Sequence, residues 1–205
     1  MRSILCFGDS NTYGLKPNAY PWTRDRWAPE DRWPNILGAK LGVHIICEGL
    51  PGRTAASINK NAPYLDALPA VPLVMESHSP IDLVIVMLCT NDLQATFSLR
   101  PEHIKIALAA VVKAVQRSDR VLGVAAPEVL VVAPPHVNEI GFRSGTFSGA
   151  MEKSLALASY FEPMATALGA KFIDAAAHVK TSPIDGIHIE VVQHQLLAAA
   201  LAEAL

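Results

Sequence analysis

Four short stretches carry residue types able to work on an acyl group, and each follows an apolar run or precedes a helical one. Gly8-Asp9-Ser10-Asn11 places a hydroxyl directly after a turn-forming glycine. At the start of a helical segment such a serine is either an N-cap, worth about 1 kcal/mol, or a nucleophile whose developing negative charge the helix amides stabilise. Glu48-Gly49-Leu50-Pro51-Gly52-Arg53-Thr54 marks a tight turn; Gly52 either presents its amide to a ligand or only helps reverse the chain. Cys89-Thr90-Asn91-Asp92 brings in polar side chains abruptly after a wholly apolar run. Asn91 is able to donate its side-chain NH2 to an oxyanion, or else Asn91 or Asp92 caps the next element. Pro183-Ile184-Asp185-Gly186-Ile187-His188 puts a carboxylate and an imidazole three residues apart in a turn. A bond between Asp185 and one ring nitrogen of His188 would set the tautomer and leave the other nitrogen for a hydroxyl. The alternative is a structural histidine ahead of a helix, but the six other histidines have no such neighbour arrangement.

The elements that must position these groups are legible as an alternation. Ser3 to Phe7, Val43 to Cys47, Asp82 to Leu88, Val129 to Val132 and Lys171 to Ile173 are short apolar runs rich in β-branched residues, the pattern of strands. Helical stretches are expected around Trp33 to Leu41, Pro101 to Arg117, Gly149 to Leu168 and Glu190 to Leu205, while prolines interrupt Ala55 to Ser79 and leave it unassigned. This order implies an α/β fold with five parallel strands and crossover helices on both faces. The run Leu83-Val84-Ile85-Val86-Met87-Leu88 is apolar at successive positions, as a central strand covered on both sides should be. No repeat, low-complexity block or Gly/Ser linker divides the chain, so one domain over residues 1–205 is expected. Ligands of open α/β sheets bind beyond the carboxyl ends of strands, where three of the four stretches fall. Lys16 to Trp33, with Pro17, Pro21 and Pro29 among Tyr20, Trp22 and Trp27, is expected to be a long loop walling or covering that site.

In their order along the chain the four stretches resemble the blocks of the SGNH, or GDSL, hydrolase family. The resemblance implies that Ser10 is the nucleophile, that the Gly52 amide and the Asn91 side chain complete an oxyanion hole begun by the Ser10 amide, and that Asp185 and His188 form the D-x-x-H of the last block. It also implies a three-layer flavodoxin-like fold with strand order 2-1-3-4-5. Two positions depart from the family pattern: Asn11 stands where leucine is common, and Cys89 where the third block usually has glycine. Within the family the chain looks most like the bacterial arylesterase and acetyl-ester hydrolase branch. Asp9, Asn11, Trp22 and Arg53, beside the key positions, are expected to contact the substrate.

The expected activity is hydrolysis of small-acyl, acetyl-like esters of aryl alcohols or carbohydrates. The runner-up is acyl transfer to an alcohol or peroxide, favoured if Trp22, Trp27 and Trp33 build a dry entrance; the other reading of these tryptophans is that they pack the loop on the core. A non-catalytic carbohydrate- or ester-binding module is the reading from another class. No cofactor or metal is expected, since HExxH, paired CxxC and DxDxDG patterns are all missing from the sequence. A formal net charge of −2 offers no field for nucleic acid or an anionic membrane. Three cysteines, an odd number, with two in apolar runs, fit reduced thiols and a cytoplasmic enzyme. The 51% apolar composition and mean hydropathy of +0.27 are met by either of two arrangements. One is a homo-oligomer with apolar subunit contacts; the other is a monomer with alanine-rich buried helices.

Overall fold

A computed structural model describes residues 2–20, 24–55, 62–118 and 123–205. Its five strands are β1 (Ser3–Gly8), β2 (His44–Gly49), β3 (Leu83–Met87), β4 (Glu128–Ala133) and β5 (Lys171–Asp174). They form one sheet in the order β2-β1-β3-β4-β5 with every neighbouring pair parallel, the order that the family resemblance implies. All five carboxyl ends therefore point to the same edge.

The period-2 geometry of the strands divides their side chains between two cores. Leu5, Phe7, Val84, Val86, Val129 and Val131 join one cluster; Ile4, Cys6, Leu83, Ile85, Leu130 and Val132 join the other. Three helices cover the first face: α3 (Ala67–His78), α4 (Pro101–Gln116) and α5 (Ala150–Ala167). Two cover the second: α2 (Trp33–Leu41), and α6 (Val191–Ala204), which bring Trp33, Leu37, Leu197 and Leu201 to the sheet. A single helical turn, α1 (Ser10–Tyr13), follows β1 directly.

The four helices expected from the sequence stand within one or two residues of the expected bounds. The unassigned stretch contains α3, whose N-cap Asp66 accepts the Leu68 N–H at 3.2 Å and whose buried positions are Ala67, Val71, Val74 and Met75. That spacing of four, three and one is an apolar helical stripe, and packing it into the first core beside α4 overrides the presence of Pro72 within the helix. The loop from Lys16 is pinned at both ends: the Lys16 N–H donates to Asp25 O, and the Trp27 N–H donates to Gly14 O.

Candidate active site

The nucleophile candidate is held where a strand must reverse sharply over its own end. Asp9 caps α1, its carboxylate accepting the Asn11 N–H at 3.0 Å, so Ser10 is the first residue of the turn rather than its cap. Because α1 folds back against the end of β2, a Cβ on Gly49 would lie 2.2 Å from the Tyr13 nitrogen. Only glycine lets the two backbones approach so closely.

The segment between β5 and α6 delivers the other two groups. Gly186 stands at φ +72° with its carbonyl accepting the Asn138 N–H at 2.8 Å; a Cβ there would lie 1.9 Å from Asn138 O. The resulting turn leaves His188 Nε2 3.0 Å from Ser10 Oγ and His188 Nδ1 2.6 Å from Asp185 Oδ2. Asp185 is fully buried, and both its oxygens are taken. Oδ1 accepts the Ile187 and His188 N–H groups, each at 3.0 Å; Oδ2 accepts the Asn18 N–H at 3.1 Å in addition to the ring. Burial works against the charge, but the His188 ring and the amides of His188 and Ile187 outweigh it and lower the pKa to about 2. The carboxylate is thus ionised at neutral pH, and it holds the imidazole with Nε2 toward the serine. The short distance fits a charge-assisted bond.

The donors opposite come from the turns after β2 and β3. Gly52, at φ +88°, lies in a turn closed by the Arg53 N–H to Leu50 O, and neither its amide nor that of Ser10 is taken up by another described residue. Asn91 uses one N–H of its side chain on Arg53 O at 3.0 Å, while its Oδ1 accepts from Gln94 at 3.3 Å, so the amide is oriented with its second N–H left over. Asp92 fastens the two turns together by accepting the Ala55 N–H at 3.0 Å. Cys89, where the family has glycine, takes φ +84°. The backbone conformation is the one glycine would supply, and Asn91 reaches its place although a cysteine bears the strain.

Ser10, Gly52, Asn91 and His188 all line one cavity of about 410 Å³. Three of the other expected contact residues do not. Asp9, Asn11 and Arg53 are buried behind it. Burial pushes the Asp9 carboxyl up, against the pull of the Asn11 amide. Asn11 ties α1 to the His188 loop, donating to Ile187 O at 3.1 Å and accepting the Ile189 N–H at 3.2 Å. Arg53 stacks on the Phe7 ring at 4.4 Å and donates to the carbonyls of Gly8 and Glu48. Through these contacts the three tie the framework together behind the cavity. Trp22 lies outside the described residues.

Of the two readings of the tryptophans, Trp27 and Trp33 follow the packing one. Trp33 is wholly buried in the core beneath α6, and Trp27 donates to Ile189 O at 3.3 Å, with neither lining the cavity. They pack the loop on the body of the protein. The cavity wall instead includes Arg24, Tyr64, Gln94, Arg143 and Phe147, which reading the sequence missed. Arg143 and Phe147 follow the carboxyl end of β4, where no conspicuous motif marks the sequence.

The model of the GDSL-like Lipase/Acylhydrolase family matches residues 6–195. Among solved structures, Est24, a carbohydrate acetylesterase from Sinorhizobium meliloti, is 36% identical with a TM-score of 0.95, over 99% of this chain and 97% of that one. The inhibitor-bound aryl esterase of M. smegmatis is 35% identical with a TM-score of 0.94, over 99% and 97% of the two chains. A second carbohydrate acetylesterase family member from Sinorhizobium meliloti is 31% identical with a TM-score of 0.91, over 99% and 96%. No curated protein matches. The family match spans nearly the whole chain, and the chain belongs to the GDSL-like lipase/acylhydrolase family as a carboxylic ester hydrolase.

Proposed function

We propose that this chain hydrolyses acetyl-like esters of carbohydrates or aryl alcohols through an acyl-enzyme on Ser10. The observation that carries this reading is the hydrogen-bonded series Asp185, His188, Ser10, opening on a cavity that also receives Gly52 and Asn91. Ser10 Oγ attacks the carbonyl carbon as its proton passes to His188 Nε2, and Asp185 stabilises the imidazolium. The oxyanion is held by the amides of Ser10 and Gly52 and by the Asn91 side chain; loss of one such donor costs about 10²–10³ in kcat. Collapse returns the proton to the departing alcohol and leaves acyl-Ser10. Water, deprotonated by His188, then attacks the acyl carbon, Ser10 recovers its proton, and the acid departs.

A cavity of about 410 Å³ walled by Phe147, Ile187 and Leu50 supports a small acyl group, and the relatives that act on acetylated carbohydrate and aryl esters support the alcohol classes. Three free cysteines, two of them buried, support a cytoplasmic setting, and Val192 and Leu196 exposed on α6 support a homo-oligomer. No helix among the described residues is long and apolar enough to cross a membrane. The direct test is hydrolysis of p-nitrophenyl acetate by the wild type and by Ser10→Ala, with fluorophosphonate labelling of both. Loss of turnover and of labelling in the variant is expected; equal rates in the two would refute the assignment.

A further inference from the structure

The charged side chains around the cavity are of one sign. Arg24 and Arg143 line it, and among the described residues no aspartate or glutamate does, although the chain as a whole is slightly acidic. Neither arginine has a hydrogen-bond acceptor among the described residues. Arg26, Arg32 and Arg53 donate to backbone carbonyls, and Arg2 and Arg100 face glutamates, but Arg143 Nε is buried with no hydrogen-bond partner. Arg143 is also firmly placed. It ends the short helical turn Gly141–Arg143, which packs on the Asp185 loop so tightly that a Cβ on Gly141 would lie 2.6 Å from Ile184 O.

A partly buried guanidinium without a counter-ion is an unfavourable state that an incoming anion would relieve. Burial lowers the pKa of Arg143, and the nearby cation of Arg24 lowers it further, while Asp185 opposes both. Asp185 does not serve as the missing acceptor, because four N–H groups from Ile187, His188 and Asn18 already occupy its oxygens. Two guanidiniums close enough to repel one another, facing the same space, form a receptor for a planar carboxylate, which pairs with arginine through two parallel hydrogen bonds.

We propose that the site selects acetyl esters whose alcohol part carries a carboxylate, with Arg143 as the principal specificity-determining residue and Arg24 as its partner at the mouth. The inference rests on the reading of Ser10 as an esterase nucleophile. Two sources share this chemistry, an acetylated hydroxybenzoate and an acetylated uronic acid, and matched substrates separate them.

The test compares kcat/KM on 4-acetoxybenzoate with its neutral methyl ester, and on an acetylated galacturonic acid with the acetylated galactose. The wild type should favour the anionic member of at least one pair by about tenfold or more, the scale of a hydrogen bond to a charged group. Arg143→Gln should collapse that ratio, Arg143→Lys should retain part of it, and rising ionic strength should erode it in the wild type. A wild-type ratio at or below one in both pairs, or a ratio that Arg143→Gln leaves unchanged, overturns the proposal. Calorimetric binding of 4-acetoxybenzoate to Ser10→Ala, compared with Ser10→Ala/Arg143→Gln, separates recognition from chemistry. Binding lost with Arg143 supports anion selection even if the esterase reading fails, and binding equal in the two variants refutes it.

Discussion

His194 on α6 makes the stability of this protein depend on pH well above the range in which Asp185 contributes. The ring is completely buried; its Nδ1 accepts the Trp33 N–H at 3.3 Å, and its Nε2 has no partner among the described residues. Burial, reinforced by the cation of Arg32, lowers its pKa from 6.5 to about 3. The unfolded chain therefore binds a proton below pH 6.5 that the folded chain refuses. The folded state keeps its full advantage above that value and loses it progressively as pH falls toward 3. Between pH 7.5 and pH 5 the loss is about 2 kcal/mol, equivalent to a fall of about 4–8 °C in Tm for a chain of this size. Asp185, with its folded pKa depressed to about 2, adds its own loss only below its ordinary carboxylate range, as pH falls through 3.8 toward 2. Its contribution does not enter the comparison. His194→Gln keeps an acceptor for the Trp33 amide but has no proton to gain. Urea unfolding of both proteins at pH 7.5 and pH 5 should show the wild type losing about 2 kcal/mol more than the variant. An equal loss in the two proteins would refute the assignment of a neutral, proton-refusing ring to the interface of α2 and α6.

The site itself is open to two further substitutions. Asp185→Asn puts an NH2 against N–H donors whichever way the amide turns, or drives His188 to the tautomer that presents a proton to Ser10; kcat should fall by about 10⁴. A loss of less than about tenfold in esterase assays would show that Asp185 does not orient the base. At Cys89, glycine removes about 1–2 kcal/mol of positive-φ strain, while it sacrifices about 1 kcal/mol of buried side chain and adds about 0.5–1 kcal/mol of unfolded-chain entropy. Cys89→Gly should therefore melt close to the wild type and keep its activity, whereas Cys89→Val, β-branched at φ +84°, should melt well below it. Equal melting of the two variants would show that φ at this position is not what the side chain resists.

Much of the fold was legible because its signals are local. Five apolar runs and four helical stretches declare themselves through local pattern, and parallel pairing follows from their alternation. The stretch around α3 was not legible, since prolines are read locally while the face of Val71, Val74 and Met75 gains its stability only against the sheet. The site divides in the same way. Ser10, Gly52, Asn91, Asp185 and His188 stand in short motifs at strand ends, so their proximity follows from the topology once the strands are parallel. Asp9, Asn11 and Arg53 share those motifs, yet they face inward. Motif membership carries no information on which way a side chain points.

The sequence by itself determined the α/β alternation, the strand ends that carry chemistry and the residue types available there. Each of these is set by periodicity or by covalent order, which need no partner to be read. Tertiary structure alone decided that Cys89 takes a glycine conformation, that Trp27 and Trp33 pack the loop on the core, that Asp185 receives four N–H groups, and that Arg24 and Arg143 share the cavity with no hydrogen-bond acceptor among the described residues. Burial, dihedral strain and charge proximity are properties of residues brought together from distant parts of the chain: Arg143 stands more than a hundred residues from Ser10 and Arg24, and only the closing of the sheet makes them neighbours.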